Sequence, residues 1–168
     1  MQKSGFFNSS GGDRVYSATD FAAYFGRLVS NGIFYLSADN LKITAAATGL
    51  KVNAAAGTAW LNGYSYENTT PLELTLETAS GVYARIDRVV LRLSMVERAV
   101  YLAVKTGSAV ASPVPPELTR TSDVWELGLA EITVARGAVS ITANAITDTR
   151  LDQTLCGLAN SLVSAVYE

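Results

Sequence analysis

Apolar positions recur at two different periods along this chain, and the change of period divides it. Phe21, Tyr24, Phe25, Leu28 and Val29 stand three and four residues apart, the spacing that lines side chains up on one face of a helix. Ser17 and Asp20 precede them as a Ser-x-x-Asp pair, which satisfies the free amides of a helix start. Asn31-Gly32 then offers the left-handed conformation that ends one. The pattern predicts a short N-terminal helix whose aromatic stripe must be buried against something.

From Ile33 onward the period drops to two, or to short apolar runs. Leu41 and Ile43 alternate with Lys42 and Thr44, Leu50 and Val52 with Lys51 and Asn53, and Leu72, Leu74 and Leu76 with Glu73, Thr75 and Glu77. Each reads as a half-buried strand. Asn62-Gly63, between Ala59-Trp60-Leu61 and Tyr64-Ser65-Tyr66, is the strongest short hairpin signal, because both turn residues accept positive φ. Arg85 to Leu93 and Ala99 to Val104 read as longer strands joined around Val96-Glu97-Arg98. The stretch from Ser112 to Pro116 holds three prolines and must be a loop or an edge. Trp125 to Val134 and Val139 to Ile141 are the last predicted strands, joined at Arg136-Gly137. About eight to ten short strands with frequent turns, and no βαβ alternation, predict an antiparallel sandwich or barrel.

The tail returns to helical spacing. Thr149 and Asp152 form a second capping-box-like pair, and Leu151, Leu155, Leu158, Leu162 and Ala165 follow at intervals of four and three. That is an a/d seam of about two heptads. The same spacing suits an amphipathic helix lying on its own domain, and a helix this short needs a partner in either case. The expected organisation is therefore an N-terminal arm and helix over residues 1–32, a mainly β, antiparallel, jelly-roll-like sandwich over 33–147, and a C-terminal oligomerisation helix over 148–168.

Composition narrows the function. The 168 residues are 49% apolar and 17% charged, with 13 basic and 15 acidic side chains and a net charge of −2. No overall field favours nucleic acid or an anionic membrane. There is no histidine, which removes His-based acid–base catalysis, Ser-His and Cys-His nucleophiles and the commonest zinc ligand. The single cysteine, Cys156, cannot form an intrachain disulfide. With no cation nearby in sequence, it reads as a small hydrophobe. The start, MQKSGFFNSSGGDR, lacks an apolar segment and a small-residue cleavage motif, so no secretory leader is expected. The Ala-rich run from Thr44 to Trp60 is broken by Gly49, Lys51, Asn53 and Gly57, so no membrane helix is expected either.

Candidate chemistry is sparse. Asp87 lies between Arg85 and Arg88, Asp148 near Arg150, and Glu117 near Arg120; with no second catalytic group in any segment, each reads as a structural ion pair. Paired carboxylates flanking a cleft, as glycosidases need, are not placed by anything in the sequence. No Cys/His/Asp/Glu cluster has metal-ligand spacing, and no cofactor is expected. Trp60, Tyr64 and Tyr66 share one hairpin and are candidates for stacking on saccharide. Tyr64 and Tyr66 share a face while the side of Trp60 is open, and packing in the core or an interface is the alternative. Trp125 reads as core or interface. A mean hydropathy of +0.21 with few charges points to apolar surface that becomes interface, hence to a homo-oligomer or a part of a larger particle rather than an enzyme.

Several stretches carry a resemblance. Phe6-Phe7-Asn8-Ser9, Gly12-Asp13-Arg14-Val15-Tyr16-Ser17-Ala18, Asp20-Phe21-Ala22, Tyr24-Phe25 and Ser30-Asn31-Gly32-Ile33-Phe34 come first. Ala59-Trp60-Leu61-Asn62-Gly63-Tyr64, the run from Arg85 to Leu93, Val104-Lys105-Thr106-Gly107 and Ile146-Thr147-Asp148-Thr149-Arg150 follow. Together they resemble baseplate and receptor-binding-type tail proteins of tailed bacteriophages and prophages of Gram-positive bacteria. The resemblance implies a virion structural protein of the tail tip, made in the bacterial cytoplasm. Such proteins are commonly homotrimeric, contact other tail and baseplate proteins, and anchor a receptor-binding apparatus for host cell-wall saccharide. Relatives often continue into a stalk and head, whereas this sequence stops at Glu168, so direct receptor binding is the alternative and not the first expectation. On this reading Phe21, Tyr24, Phe25 and Leu28 dock the first helix on the sandwich or a neighbour, and Leu151, Leu155, Leu158, Leu162 and Ala165 form the oligomer seam.

Overall fold

The computed structural model describes residues 4–163. It is mainly β, with three small antiparallel sheets and one short N-terminal helix. Helix α1 spans Ala18–Phe25 and starts with the predicted capping box: the Asp20 amide donates to Ser17 Oγ at 3.3 Å and the Ser17 amide to the Asp20 carboxylate at 2.9 Å. It stops at Gly26, well short of Asn31-Gly32. The reason lies in the next residues, whose backbone pairs with the far end of the chain: the Ser30 amide donates to Asn160 O, and Leu28 O accepts from the Leu162 amide.

Strand β1 (Gly32–Ile33) pairs with β4 (Gly57–Leu61), which pairs with β5 (Tyr64–Asn68). Asn62 and Gly63 close that hairpin with φ of 49° and 87°, the conformation a tight two-residue turn requires. In a second sheet β3 (Lys51–Ala54) lies between β2 (Ile43–Ala45) and β6 (Leu72–Thr75). The third and largest sheet has the order β10-β9-β7-β8, from β7 (Arg85–Ser94), β8 (Ala99–Lys105), β9 (Val124–Val134) and β10 (Ile146–Asp148). A bulge between Val89 and Val90 shifts the β7–β9 register. One apolar cluster joins the sheets: Ile33 and Leu61 from the first, Val52 from the second, and Leu91, Leu127, Leu129 and Ile132 from the third, all with 2% exposure or less.

Two expected elements are absent. Val139 to Ile141 is not a strand; Ile141 is buried, but its amide donates to Gly49 O in an irregular segment, and the last strand comes later, at Ile146. The C-terminal helix is not formed over residues 151–163. Thr149 does not cap anything: its hydroxyl donates to Gly128 O at 2.8 Å and its amide to Leu129 O. Leu155 O, which a helix would need, accepts from the Gly128 amide and from the Arg120 guanidinium. Beyond Gly157 (φ 79°) the chain becomes an extended strap. The Ile33 amide donates to Gly157 O, the Ala159 amide to Ile33 O, and isolated bridges join Ile33 with Leu158 and Val29 with Ser161. Gly32 is required at this crossing, since a Cβ there would collide with the backbone of Leu158 and Ala159. Long-range pairing satisfies backbone groups that an isolated helix of about two heptads would leave open at both ends.

A candidate assembly surface on the N-terminal helix

The small residues of α1 fix its seat. Only Ala22 of the helix is buried, and its carbonyl packs on Gly63, where any Cβ would overlap it. Gly26 lies beside the same hairpin tip. Asn31 locks the contact by exchanging hydrogen bonds with Asn62: its side-chain amide donates to Asn62 Oδ1 at 2.7 Å, and its Oδ1 accepts from the Asn62 amide at 2.6 Å. The helix thus rides on the two-residue turn between β4 and β5.

Its aromatic stripe faces largely outward. Phe21, Tyr24 and Phe25 are 44%, 45% and 41% exposed, so the expected burial of this stripe is not met within the chain; Leu28 and Val29 are half-buried. The rings instead touch one another. Phe6 from the preceding arm meets Tyr16, Phe21 and Tyr24 with centroids 4.8–5.6 Å apart, Tyr24 meets Phe25, Phe25 meets Trp60, and Trp60 meets Phe34. Edge-to-face and tilted contacts of this kind hold rings at fixed positions. Phe7 and Val15 on the arm and Tyr35 and Leu36 past β1 are also exposed. The result is a continuous, half-open aromatic face.

The tail residues do not share a helical face over the described residues. Leu151 and Leu162 are exposed, Leu155 and Leu158 are partly buried against the chain's own fold, and no helix aligns them; Ala165 lies outside the described residues. Nor do the hairpin aromatics form one saccharide platform. Tyr64 and Tyr66 lie opposite Leu61 and Ala59, on the core face, whereas Trp60 lies opposite Ser65 on the other face, against Phe25 and Phe34. Alternation separates what the sequence places together. Burial raises the Tyr66 hydroxyl above its ordinary pKa.

The buried charged groups are matched. Arg85 and Asp87 form a buried pair along one strand, with Arg85 also donating to the carbonyls of Thr78 and Glu77, and Asp87 accepting from the Gly107 amide. Arg88 reaches across to Glu131 and not to Asp87. Arg150 and Asp148 pair as expected, and Arg150 also donates to Asn40 O. Glu117 and Arg120 do not pair: Arg120 binds Leu155 O and lies over the Trp125 ring. The residue that the sequence did not single out is Glu126. It is fully buried on β9, where it accepts from Arg92, Lys105 and the Thr119 amide. Burial alone would raise its carboxyl, but these donors outweigh it and hold the pKa below the ordinary value. Its signal was available, since a glutamate between Trp125 and Leu127 in an apolar strand needs buried partners. Cys156 is buried and its thiol is pushed up to about 12 by that burial. Among the described residues no group of His, Cys, Asp and Glu is arranged to hold a metal.

No family model, curated protein or solved structure matches the chain.

Proposed function

We propose that this chain is a structural component of a phage tail baseplate or tail tip, and that it assembles with itself and with neighbouring tail proteins to anchor or present a receptor-binding apparatus. The observation that carries this reading is the aromatic face of α1 and the arm, held rigidly by the hairpin tip yet left half open to solvent. Large rings fixed at a surface give contact area at low entropic cost, which is the usual composition of an interface centre. The resemblance in the arm, helix, hairpin and β7 supports the virion assignment and a trimer. In this reading the three sheets act as one sandwich-like, jelly-roll-like block that carries the aromatic face, and the seam lies there and not in the tail.

The test is solution mass by light scattering after size exclusion. The native chain is expected near three times 17.8 kDa, and Phe21→Asp with Tyr24→Asp is expected to give the monomer with unchanged β circular dichroism. A monomer from the native chain at every concentration removes self-assembly. An unchanged oligomer in the double variant removes this face from the seam.

A further inference from the structure

The two ends of the chain hold each other. Residues 28–33, which carry the chain from α1 into β1, are zipped to the strap beyond Gly157 by main-chain bonds. The Ser30 amide donates to Asn160 O, the Leu162 amide to Leu28 O, the Ile33 amide to Gly157 O and the Ala159 amide to Ile33 O. The Ser30 hydroxyl adds to them, donating to Leu158 O at 3.3 Å and accepting from the Asn160 amide at 2.9 Å. Little apolar surface backs this zipper. On the strap, Leu158 and Ala159 are half-buried and every residue from Asn160 to Val163 is exposed. Across from it Leu28, Val29, Ser30 and Asn31 are half-buried, and Ala22 is the one buried residue of α1. The firm anchors lie just beyond, at Cys156 on one side and Ile33 on the other, both in the core cluster. Hydrogen bonds near solvent, with few buried contacts behind them, mark segments that open locally at a free energy below that of global unfolding. The zipper also bears on the helix. Leu28, whose carbonyl the strap holds, donates its own amide to Phe25 O and so closes the turn that ends α1.

We infer that the strap is a latch on the N-terminal helix: residues 158–163 lift away as a unit while the three sheets stay closed, and the last turn of α1 keeps its place only while the strap is down. Lifting it hands the Ser30 and Ile33 amides and the Leu28 carbonyl to water, which satisfies them without fixing the path of residues 28–33. Tyr24 and Phe25 ride on that turn. A closed strap therefore presents the aromatic face, and a lifted one disperses it. As control of assembly this rests on the function proposed above; the coupling of the two chain ends stands without it.

The full chain carrying Val29→Cys with Ser161→Cys gives both states of the latch in one protein. The two positions face each other in an antiparallel bridge, between the bonded pairs Leu28–Leu162 and Ser30–Asn160. Such non-hydrogen-bonded pairs have Cα atoms about 4.5 Å apart, within the reach of a disulfide. Cys156 stays out of the bridge, because burial keeps its thiol protonated at neutral pH. Amide hydrogen exchange is read by NMR. In the native chain the Ser30, Ile33, Ala159 and Leu162 amides are expected to exchange together, with protection about a hundredfold or more below that of β7 and β9. Oxidation of the double variant is expected to raise the protection of the strap amides, and of the Gly26 and Leu28 amides, about tenfold. Ala159→Pro deletes the donor to Ile33 O and is expected to lower the same set, with β7 and β9 unchanged in both. Strap amides as protected as those of β7 overturn the latch, since the strap then opens only with the core. A bridge or a proline that moves the strap amides and leaves Gly26 and Leu28 unmoved overturns its hold on α1. Light scattering on the same samples separates this from the assembly reading. An oligomer tightened by the bridge and loosened by the proline supports control of assembly, and one indifferent to both overturns it. A monomer in every state removes the assembly reading, while the exchange results still decide the latch.

Discussion

Along β7, all residues from Arg85 to Ser94 are buried except Ile86 and Arg92, which are half-buried; along α1, Ala22 is the one buried residue of eight. α1 has the larger apolar share, six of its eight residues against five of ten in β7, yet it is the less buried, because the two differ in what surrounds them. β7 is flanked by β8 and β9 and covered by the cluster that joins all three sheets, so even its charges, Arg85 and Asp87, are desolvated and must be matched. α1 touches the fold along a single line of small residues, and its rings gain their order from one another. A region closed on every side commits its side chains to stability, whereas one attached along a line keeps them available for a partner. That contrast can be broken at either end.

The largest effect belongs to the closed region. Asp87→Ala leaves the Arg85 guanidinium buried without its counter-charge and the Gly107 amide without its acceptor. Breaking such a pair costs about 3–5 kcal/mol, which urea unfolding of the full chain would read as a lower midpoint at unchanged slope. Replacing both members, Arg85→Met with Asp87→Leu, is expected to recover much of the loss, because the cost lies in the orphaned charge. Equal losses in the single and double variants would mean that the hydrogen bonds to the Thr78 and Glu77 carbonyls, and not the ion pair, hold this end of β7.

Next comes the line of attachment. Gly63→Ala puts a methyl into the Ala22 carbonyl at a backbone with φ 87°, and overpacking of this kind costs about 1–3 kcal/mol. The expected signature is local: amides of α1 lose exchange protection while those of β7 and β9 keep theirs. Uniform loss would show that the helix seat and the core are one cooperative unit.

Acid titration probes the closed region again. The carboxyl of Glu126 would be raised by burial, but hydrogen bonds from Lys105, the Thr119 amide and Arg92 hold it below the ordinary 4.5. Asp148, likewise opposed by burial and held down by Arg150, lies below 3.8. Groups lowered on folding stabilise fully above their unfolded values, and the stabilisation is lost as pH falls through the folded ones. The unfolding midpoint is therefore expected to be flat above the ordinary carboxylate range and to fall below it, with Glu126→Gln flattening that fall. An unchanged acid limb in Glu126→Gln assigns it to other carboxylates.

The same contrast separates what could be read in the sequence from what could not. Signals carried by adjacent residues held: Ser17 and Asp20 cap α1, Asn62-Gly63 turns the hairpin, and β7, β8 and β9 occupy the predicted runs to within a residue or so. Signals that depend on distant partners did not. The leucines of the tail have helical spacing, yet their backbone is claimed by Gly128 and Ile33, more than twenty and more than a hundred residues away. The side of Trp60, open from the hairpin alone, is set by the register, which puts it on the face opposite Tyr64 and Tyr66. Periodicity reports that a stripe is apolar but not what covers it, and within this chain Phe21 and Phe25 stay exposed, leaving a neighbour as the surface that would bury them. Glu126 was legible in principle, from its place between Trp125 and Leu127, but its partners Arg92 and Lys105 come from two other strands.

The smallest expected effect on stability is the most informative about the open face. Phe7 is 58% exposed, and among the described residues its ring meets the Arg14 guanidinium, 5.3 Å from the centroid. Phe7→Ser removes little that the isolated fold uses, so the unfolding midpoint should move by no more than about 0.5 kcal/mol, as for surface changes generally. If the arm and α1 form the contact between subunits, the same substitution removes a large apolar side chain from an interface, where truncations cost more than 1 kcal/mol at the residues that matter. The oligomer should then dissociate at concentrations where the native chain stays assembled. A ring that is dispensable for folding and needed for assembly is what an open face predicts and a closed one does not. Parallel losses of stability and assembly would place Phe7 with Ala22 and Gly63 as part of the seat.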